Sequence, residues 1–418
     1  MTGIARDRAF DATPALLAEG YRFISNRCRR YGSDTVRTRL MLRPVTCMLG
    51  QEAVALFYDG DRMTRRGATP KTTLWLLQDE GSVQGLDGPA HRRRKRMFMN
   101  LMTPAAVSAL VEAVADAWLA RTAQWTTGDA VVLFDEAELI LCRAVCRWAG
   151  VPTEGNRVES LTRELSAMIE GAGSVGPRNW RGHLLRARTE RWARGLIRTA
   201  RTQPGSAPED SPLSAVALHR SDDGSLLPES VAAVELLNLL RPTVAIARYI
   251  VFAALALHRD PRQRERVAQG TDAEVAAFVL EIRRFYPFFP FVGGIVLAPI
   301  AWRGETLEAG TWALLDLYGT NRDPRLWDEP ETFRPERFDG VDPSANALVP
   351  QGGGDHFAGH RCAGEWVTNA VLARIAHLLC TETPCTVPEQ DLHVDLARMP
   401  ARPASGLIVR PARKEPHA

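Results

Sequence analysis

Residues 228–258 form a long apolar stretch that constrains the fold more than any other part of the sequence. The stretch is apolar almost all round, which predicts a helix buried in the middle of the protein. Arg241 and Pro242 stand side by side within it. A proline inside a helix costs roughly 3 kcal/mol, and a buried guanidinium without a partner costs several kcal/mol more. Two such unfavourable neighbours indicate a functional site.

The composition is that of a globular protein with a large core. The chain has 418 residues, 45% of them hydrophobic and 24% charged, and its net charge of +3 gives no strong case for nucleic acid or an anionic membrane. The longest uninterrupted apolar run, at 249–257, is too short to span a bilayer, and the seven cysteines contain no CxxC pair. We therefore expect a cytoplasmic protein without a membrane anchor.

The periodicity of the sequence is helical over most of its length. Helical spacing runs from about 87 to 200, then from the stretch at 228–258 to about 284, and a last helix begins near 363. Alternating apolar and polar residues predict two β-rich parts, at about 34–58 and 290–317. The expected architecture is a single domain over residues 1–418, mainly α-helical with a small β-rich region.

The strongest chemical motif is "QGGGDHFAGHRCAGEW" at 351–366. It places Cys362 before an apolar helix, where the helix dipole and free N–H groups are expected to lower the pKa of the thiol and favour the thiolate. A thiolate in that setting is either a nucleophile or a metal ligand. The alternative is a small buried cysteine in a turn.

Two weaker motifs precede this loop, "EIRR" at 281–284 and "PERF" at 335–338. Together with Cys362 they resemble, in order and spacing, the cytochrome P-450 superfamily of haem-thiolate enzymes. The resemblance implies a P-450 fold and a haem b cofactor whose iron takes Cys362 as its axial ligand. An axial thiolate pushes electron density onto the iron and favours O–O cleavage. The resemblance also implies a structural triad of Glu281, Arg284 and Arg337.

The cysteine loop departs from the commonest form in that superfamily, which has Phe seven residues and Gly four residues before the cysteine. Asp355 and Ala358 stand at those positions. The loop instead resembles the fatty-acid peroxygenase branch, over about residues 70–375. Most of the superfamily carries an acid–alcohol pair in the central helix for proton delivery in O₂ activation. This chain has Arg241 and Pro242 there, as the peroxygenases do.

The branch implies that Arg241 binds the carboxylate of a fatty acid through a charge-assisted pair. The bound carboxylate then acts as general base and acid for hydrogen peroxide. Pro242 frees the carbonyl of Asn238 and bends the helix, and Arg241 is expected to lack a partner on its own helix. The alternative is a salt bridge from Arg241 to an acid such as Glu235 or Asp316.

The implied function is hydroxylation of a fatty acid by hydrogen peroxide at the carbon α or β to the carboxylate, because the anchored carboxylate leaves those carbons nearest the iron. No redox partner is then required. Three alternatives stay open. They are an O₂-dependent monooxygenase with electron-transfer partners, a decarboxylase that forms terminal alkenes, and a haem-binding sensor or carrier without turnover.

The segment "QGLDGPAHRRRKRMF" at 84–98 is basic. His91 and Lys95 share one face of a predicted helix that Asp87 is expected to cap. In the family, basic residues on this helix hold the haem propionates, so His91 and Lys95, with His360 from the cysteine loop, are the candidates. The alternative is a solvated basic patch or a nucleic-acid contact, which the net charge and the apolar residues that follow make less favourable.

The resemblance assigns further residues to the substrate channel. Phe289, Phe291 and Val292, from the aromatic run "FYPFFPFV", are expected to line a channel for the acyl chain, with core packing as the alternative. Ala172 and its flanking glycines are expected to leave room in the same channel.

Gln84 lies seven residues before His91, where alkene-forming members of the branch tend to have histidine. An imidazole exchanges protons near neutral pH, whereas an amide only hydrogen-bonds. Gln84 therefore predicts hydroxy acids as the main products and alkene as a minor one. The alternative is that Gln84 only packs or orders water.

Overall fold

Helices make up most of the protein, as the sequence predicts. The computed structural model describes residues 3–126, 128–153 and 155–412. The α-helices are α1 (Thr13–Glu19), α2 (Phe23–Tyr31), α3 (Gln51–Tyr58), α4 (Lys71–Leu77), α5 (Gly88–Asn100), α6 (Pro104–Thr122), α7 (Leu133–Ala149), α8 (Arg157–Ala172), α9 (Pro177–Thr202), α10 (Pro212–Ala217), α11 (Glu229–Ala245), α12 (Ala247–Arg259), α13 (Pro261–Gln269), α14 (Asp272–Phe285), α15 (Leu317–Thr320) and α16 (Glu365–Thr381). Short 3-10 helices occupy Gly20–Arg22, Gly60–Arg62, Val83–Gly85 and Pro335–Phe338.

The strands are short and gather mainly in one sheet. They are β1 (Ala5–Arg6), β2 (Thr35–Leu40), β3 (Arg43–Met48), β4 (Met63–Thr64), β5 (Val131–Val132), β6 (Phe291–Val296), β7 (Ile300–Trp302), β8 (Glu305–Leu307), β9 (Trp312–Asp316), β10 (Cys385–Thr386) and β11 (Ile408–Pro411). The largest sheet has the order β1-β2-β3-β9-β6-β4, with β2 and β3 antiparallel and β3 parallel to β9. It joins the two parts of the chain predicted to be β-rich.

Of the two parts of the chain predicted to be β-rich, one is confirmed and the other is correct only as far as β3. The prediction for 290–317 is confirmed, because β6 to β9 occupy that segment. The prediction for 34–58 is wrong beyond β3, since residues 51–58 form α3. The buried residues of α3 are Ala53, Val54 and Phe57, which is helical spacing, and Gly50 starts the turn with a φ of 96°.

The apolar stretch at 228–258 forms two successive core helices instead of one. The helical break falls at Ile246, four residues after Pro242. The Ile246 N–H donates to the carbonyl oxygen of Thr243 at 3.1 Å, which is the tighter 3-10 pattern. By length and composition the span 229–259 could cross a membrane, but 94% of its most apolar window is buried inside the protein.

The main hydrophobic core surrounds these two helices. It is built from α6, α7, α8, α14 and α16 together with α11 and α12. α14 begins at a capping box in which Thr271 and Glu274 hydrogen-bond each other's backbone N–H groups. α16 begins at Glu365, two residues later than predicted, with Gly364 at its N-cap. These two helices bring the EIRR motif and the cysteine loop to the same side of the core.

Candidate active site

Cys362 lies in a turn immediately before α16. Its backbone N–H donates to the carbonyl oxygen of Gln351 at 3.2 Å, and the N–H of Gly364 donates to its sulfur. The side-chain nitrogen Nε2 of Gln351 lies 3.8 Å from the same sulfur. Donors therefore reach Sγ from two directions, which stabilises negative charge on a ligand sulfur.

The predicted lowering of the Cys362 pKa is wrong for the protein chain alone. Burial raises the pKa of the thiol, and the Gly364 N–H, which lowers it, does not offset burial. Glu365 raises the pKa as well, while Lys95 and Arg283 lower it. A bound metal ion deprotonates a coordinating thiol regardless of such a shift. The environment therefore suits a metal ligand better than a free nucleophile at neutral pH.

Gln351 belongs to a buried network that the sequence did not predict. Arg283 Nη2 donates to Gln351 Oε1 at 3.2 Å and to Glu365 Oε1 at 2.5 Å. Arg361 Nε donates to Glu365 Oε2 at 2.6 Å. Although burial acts to raise it, Arg283 and Arg361 hold the pKa of Glu365 at about 2. The charged pair orients the Gln351 amide so that its N–H groups point to the sulfur.

His91, Lys95 and His360 lie together beside the cysteine loop. The rings of His91 and His360 stack with their centroids 3.9 Å apart. His360 Nε2 lies 3.1 Å from the carbonyl oxygen of Leu86, and Lys95 Nζ donates to the carbonyl oxygen of Arg361. α5 and the cysteine loop are thus joined through the three residues predicted to contact haem propionates.

Arg65 is a further cation in this group, and sequence reasoning missed it. Its Nη1 donates to the carbonyl oxygen of Gly293 at 2.8 Å, and its positive charge lowers the pKa of both His91 and His360. Asp87 stands at the predicted N-cap position of α5, but its side chain makes no capping hydrogen bond. The Asp87 carboxylate instead accepts a hydrogen bond of 2.6 Å from the hydroxyl of Thr64 on β4.

The charge of this cluster fits the two propionates of haem. Burial and neighbouring cations lower the pKa of His91 to about 4 and that of His360 to about 3, so both imidazoles are neutral hydrogen-bonding groups at neutral pH. Burial lowers the pKa of Lys95 to about 8, so Lys95 stays largely charged, and Lys95 and Arg65 carry the positive charge of the cluster. Buried cations are unfavourable without anions nearby, and carboxylates are the anions that such donors bind best. Within the described ranges no three His, Cys, Asp or Glu side chains form a metal site. One protein ligand, Cys362, suits an iron that a porphyrin also holds.

Arg241 is buried on α11, at 4% exposure. Its Nη1 lies 3.5 Å from the carbonyl oxygen of Leu76. Its Nη2 donates to the carbonyl oxygen of Leu77 and, at 2.9 Å, to Asn238 Oδ1. The expectation of no partner on its own helix is therefore wrong, because Asn238 lies one turn before it. All these acceptors are neutral. Burial and, secondarily, Arg186 lower the pKa of Arg241 to about 9, so the guanidinium stays charged at neutral pH.

The alternative salt bridges for Arg241 are absent from the described part of the chain. Glu235 Oε1 accepts from Arg94 Nη1 at 2.6 Å. Asp316 Oδ1 accepts from the Gly319 N–H at 2.6 Å, and burial raises the pKa of Asp316 to about 8, which leaves it uncharged at neutral pH. Neither acid forms an ion pair with Arg241.

Gln84 is connected to Arg241 through one residue. Its Oε1 accepts from Ser82 Oγ at 2.9 Å and from Asn238 Nδ2 at 3.3 Å. Asn238 in turn accepts the hydrogen bond from Arg241 and donates to Glu235 Oε2 at 2.9 Å. The structure therefore brings Gln84 and Arg241 into one polar network, as a shared role at a carboxylate requires.

Pro242 is the exception in the buried part of α11 and α12. From Ala232 to Leu257 every residue is buried except Pro242, which is exposed. Its surface therefore faces space that solvent can enter, which we call the cavity beside Pro242. Arg241 precedes Pro242 directly, so the charged site adjoins this space.

The residues predicted to form a structural triad are in contact. Arg284 Nε and Nη2 donate to the two oxygens of Glu281 at 2.6 and 2.8 Å, and Arg337 Nε lies 3.2 Å from Glu281 Oε2. Glu281 and Arg284 are both fully buried. This cluster ties α14 to the segment that leads into the cysteine loop.

The residues predicted to line a channel have mixed surroundings. Phe289 is 40% exposed, with its ring 5.0 Å from that of Phe288. Phe291 and Val292 are half-buried at the start of β6. Ala172 is buried at the end of α8.

The glycines beside Ala172 do not leave open room. A Cβ at Gly171 would lie 3.1 Å from Leu76, and one at Gly173 would lie 2.6 Å from Met399. The small residues allow Leu76 and Met399 to approach closely, so the expectation of free space there is wrong.

Comparisons with known proteins decide the family. The family model described as cytochrome P-450 matches residues 275–366. The solved structure of a variant of cytochrome P450SP alpha (CYP152B1) is 43% identical, with a TM-score of 0.93, over 96% of this chain and 98% of that one. The chain is a cytochrome P-450.

Other relatives narrow the branch. Cytochrome P450EX alpha (CYP152N1), solved with myristic acid, is 40% identical with a TM-score of 0.94, over 98% of this chain and 99% of that one. A variant of cytochrome P-450 OleT in complex with arachidonic acid is 32% identical with a TM-score of 0.94, over 99% of this chain and 100% of that one. The putative cytochrome P-450 137 of Mycobacterium tuberculosis is 24% identical over 96% of this chain and 87% of the relative. This P-450 belongs to the fatty-acid peroxygenase branch, and haem is its cofactor.

Proposed function

We propose that this P-450 uses hydrogen peroxide to hydroxylate a fatty acid at the carbon α or β to its carboxylate. One observation carries the proposal. Arg241 is buried and charged, has only neutral partners among the described residues, and precedes the one exposed residue of its helix. A carboxylate is the group that best completes such a site. The fatty acids bound to two relatives support this substrate class.

The guanidinium and the bound carboxylate form the acid–base centre. Arg241 holds the carboxylate next to the cavity, where the carboxylate takes a proton from hydrogen peroxide and returns it to the leaving oxygen. Asn238 and the Leu77 carbonyl fix the orientation of the guanidinium. Haem b, when bound to Cys362, supplies the electron-rich iron that favours O–O cleavage.

The position of the anchor favours reaction near the carboxylate. An acid held at Arg241 presents its first carbons to the cavity beside Pro242, and fixed geometry raises the rate only for atoms within reach. The remaining acyl chain extends away, toward the side on which we place Phe289, Phe291, Val292 and Ala172. We propose no redox partner, because the oxygen of hydrogen peroxide is already reduced by the two electrons that such a partner would otherwise deliver to O₂.

One incubation tests the proposal. We expect haem-loaded protein, hydrogen peroxide and a saturated long-chain fatty acid to give 2- or 3-hydroxy acids without any reductase or ferredoxin. The matched control supplies O₂, NADPH and a reductase system but contains catalase to remove peroxide. Turnover only in the control would indicate the O₂-dependent monooxygenase. A spectral shift on adding fatty acid without product under either condition would indicate a haem-binding sensor or carrier.

The product ratio tests the role of Gln84. The wild type is expected to give mainly hydroxy acids, because an amide beside the Arg241 network cannot exchange a proton. In Gln84→His an imidazole replaces that amide, and we expect the share of terminal alkene to rise several-fold. Chromatography of products from one saturated acid measures the ratio, with Gln84→Asn as the control that keeps an amide. A wild type that forms mostly alkene contradicts this role for Gln84 and leaves the peroxygenase proposal intact.

A further inference from the structure

The solvent-facing side of α9 combines exposed apolar residues with a row of arginines. Trp180 is 68% exposed and Leu184 is 73% exposed, one helical turn apart, and Val175, 73% exposed, lies just before the helix. Single exposed apolar residues are ordinary on a protein surface. Three large ones within ten residues form a patch at the N-terminal end of α9, and such patches mark contact surfaces.

The same side of α9 is strongly basic. α9 contains eight arginines and one acidic residue, Glu190. The exposed arginines follow the apolar patch at helical spacing and are Arg181, Arg188, Arg191, Arg194 and Arg198.

Only part of this positive charge is neutralised. Three of the five arginines form ion pairs. The distances are 3.2 Å from Arg188 Nε to Glu164 Oε1, 3.4 Å from Arg194 Nη2 to Glu190 Oε2, and 2.8 Å from Arg198 Nη2 to Glu229 Oε2. Arg181 and Arg191 form no ion pair with residues that the structure describes. The arginine side chains of these pairs are 46% to 65% exposed, so solvent screens the attraction and each pair contributes little free energy. The α9 surface, defined as Val175, Trp180, Leu184 and the five exposed arginines, therefore attracts anions.

We propose that the α9 surface docks the protein on an anionic lipid membrane. A surface helix with tryptophan and leucine beside a basic face inserts its apolar side chains at the boundary of headgroups and acyl chains. Each arginine near an anionic bilayer adds to the attraction. The docking is peripheral and reversible, since one helix end and no spanning segment contacts the lipid.

A second copy of the chain fits this surface less well. A two-fold dimer places the same patch on both partners, so the arginines of one α9 would face those of the other. Like charges in contact oppose association. A bilayer rich in anionic headgroups complements the apolar and the basic parts at once.

The α9 surface lies close to the proposed carboxylate site. Arg186, on the buried side of α9, donates to the carbonyl oxygen of Leu76 at 2.7 Å. Arg241 Nη1 lies 3.5 Å from that same oxygen. Trp75, on α4 beside Leu76, is 44% exposed. Given the proposed function, docking at α9 would bring the substrate site to the phase in which long-chain fatty acids dissolve.

Co-sedimentation with vesicles tests the docking. We expect the haem-loaded protein to bind vesicles of equimolar phosphatidylcholine and phosphatidylglycerol, to bind pure phosphatidylcholine far less, and to release in high salt. Trp180→Ser and Leu184→Ser should each weaken partitioning about tenfold. Arg181→Ala with Arg191→Ala should weaken it about thirtyfold. Two control variants replace exposed residues outside the α9 surface and should bind as the wild type does. They are Phe357→Ser, whose wild-type side chain is 62% exposed, and Arg30→Ala.

Several results would overturn the proposal. It fails if the protein does not bind the anionic vesicles, or if the Trp180→Ser/Leu184→Ser double variant binds them like the wild type. It also fails if light scattering shows a wild-type dimer that Trp180→Ser converts to monomers, because the surface would then join two copies. The vesicle assay contains neither peroxide nor fatty acid, so its result is separate from the fate of the proposed activity. Turnover of a medium-chain fatty acid that is soluble in water should be unchanged in the double variant.

Discussion

Replacing Arg241 with alanine is expected to lower peroxide-dependent turnover of a long-chain fatty acid by about a thousandfold or more, because the variant loses the carboxylate anchor and the acid–base centre together. Haem should remain bound, since Arg241 lies on α11, apart from Cys362 and from the cluster of Arg65, His91, Lys95 and His360. Product chromatography measures turnover, and the visible spectrum of the reduced carbonyl complex measures haem content. Arg186→Ala is the matched control. It removes a neighbouring buried guanidinium that already pairs with Glu190 at 3.0 Å. Its turnover should fall far less than that of Arg241→Ala.

A short carboxylic acid separates the two roles of Arg241. With Arg241 intact, an acid too small to be oxidised should bind the guanidinium, serve as the acid–base group, and let peroxide oxidise a substrate that has no carboxylate. In Arg241→Ala the same short acid should have no effect. If the alanine variant turns over fatty acid like the wild type, Arg241 is structural and the O₂-dependent monooxygenase becomes the better explanation.

Local sequence patterns predicted the elements whose residues make local contacts. The apolar run at 228–258 identified the core helices, and alternation at 290–317 identified β6 to β9. The same reasoning extended a strand region through α3, because a short apolar run fits either period. The helical break at Ile246 also escaped prediction. A proline weakens a helix locally, but packing on both sides determines where the backbone yields.

The site was predictable where a residue type is rare in its setting. A charged residue and a proline in a core helix drew attention to Arg241 and Pro242 without any knowledge of the fold. Partners from distant segments gave no such signal. Gln351 meets Arg283 across 68 residues, and Glu235 meets Arg94 across 141 residues. Glutamine and arginine are common on surfaces, so only the folded chain reveals that these particular ones are buried.

The prediction of a lowered pKa for Cys362 was wrong for a related reason. Sequence reasoning gave the helix that follows the cysteine, and with it a dipole that lowers the pKa. It could not give the depth of the turn, and burial raises the pKa of the thiol by more than the Gly364 N–H lowers it. The sign of a pKa shift depends on such opposing contributions, of which only one was visible in the sequence.

Cys362→Ser is expected to eliminate the long-wavelength carbonyl band that characterises a P-450, because a serine hydroxyl is a far poorer iron ligand than a thiolate. The cluster of Arg65, His91, Lys95 and His360 is unchanged in this variant, so some haem should still bind, with an altered spectrum. Circular dichroism checks that the helices persist. Cys380→Ser is the matched control, since Cys380 is a free, half-buried cysteine on α16 and should leave the band intact. Retention of the normal band in Cys362→Ser would contradict the ligand assignment and, with it, the chemistry proposed for this site.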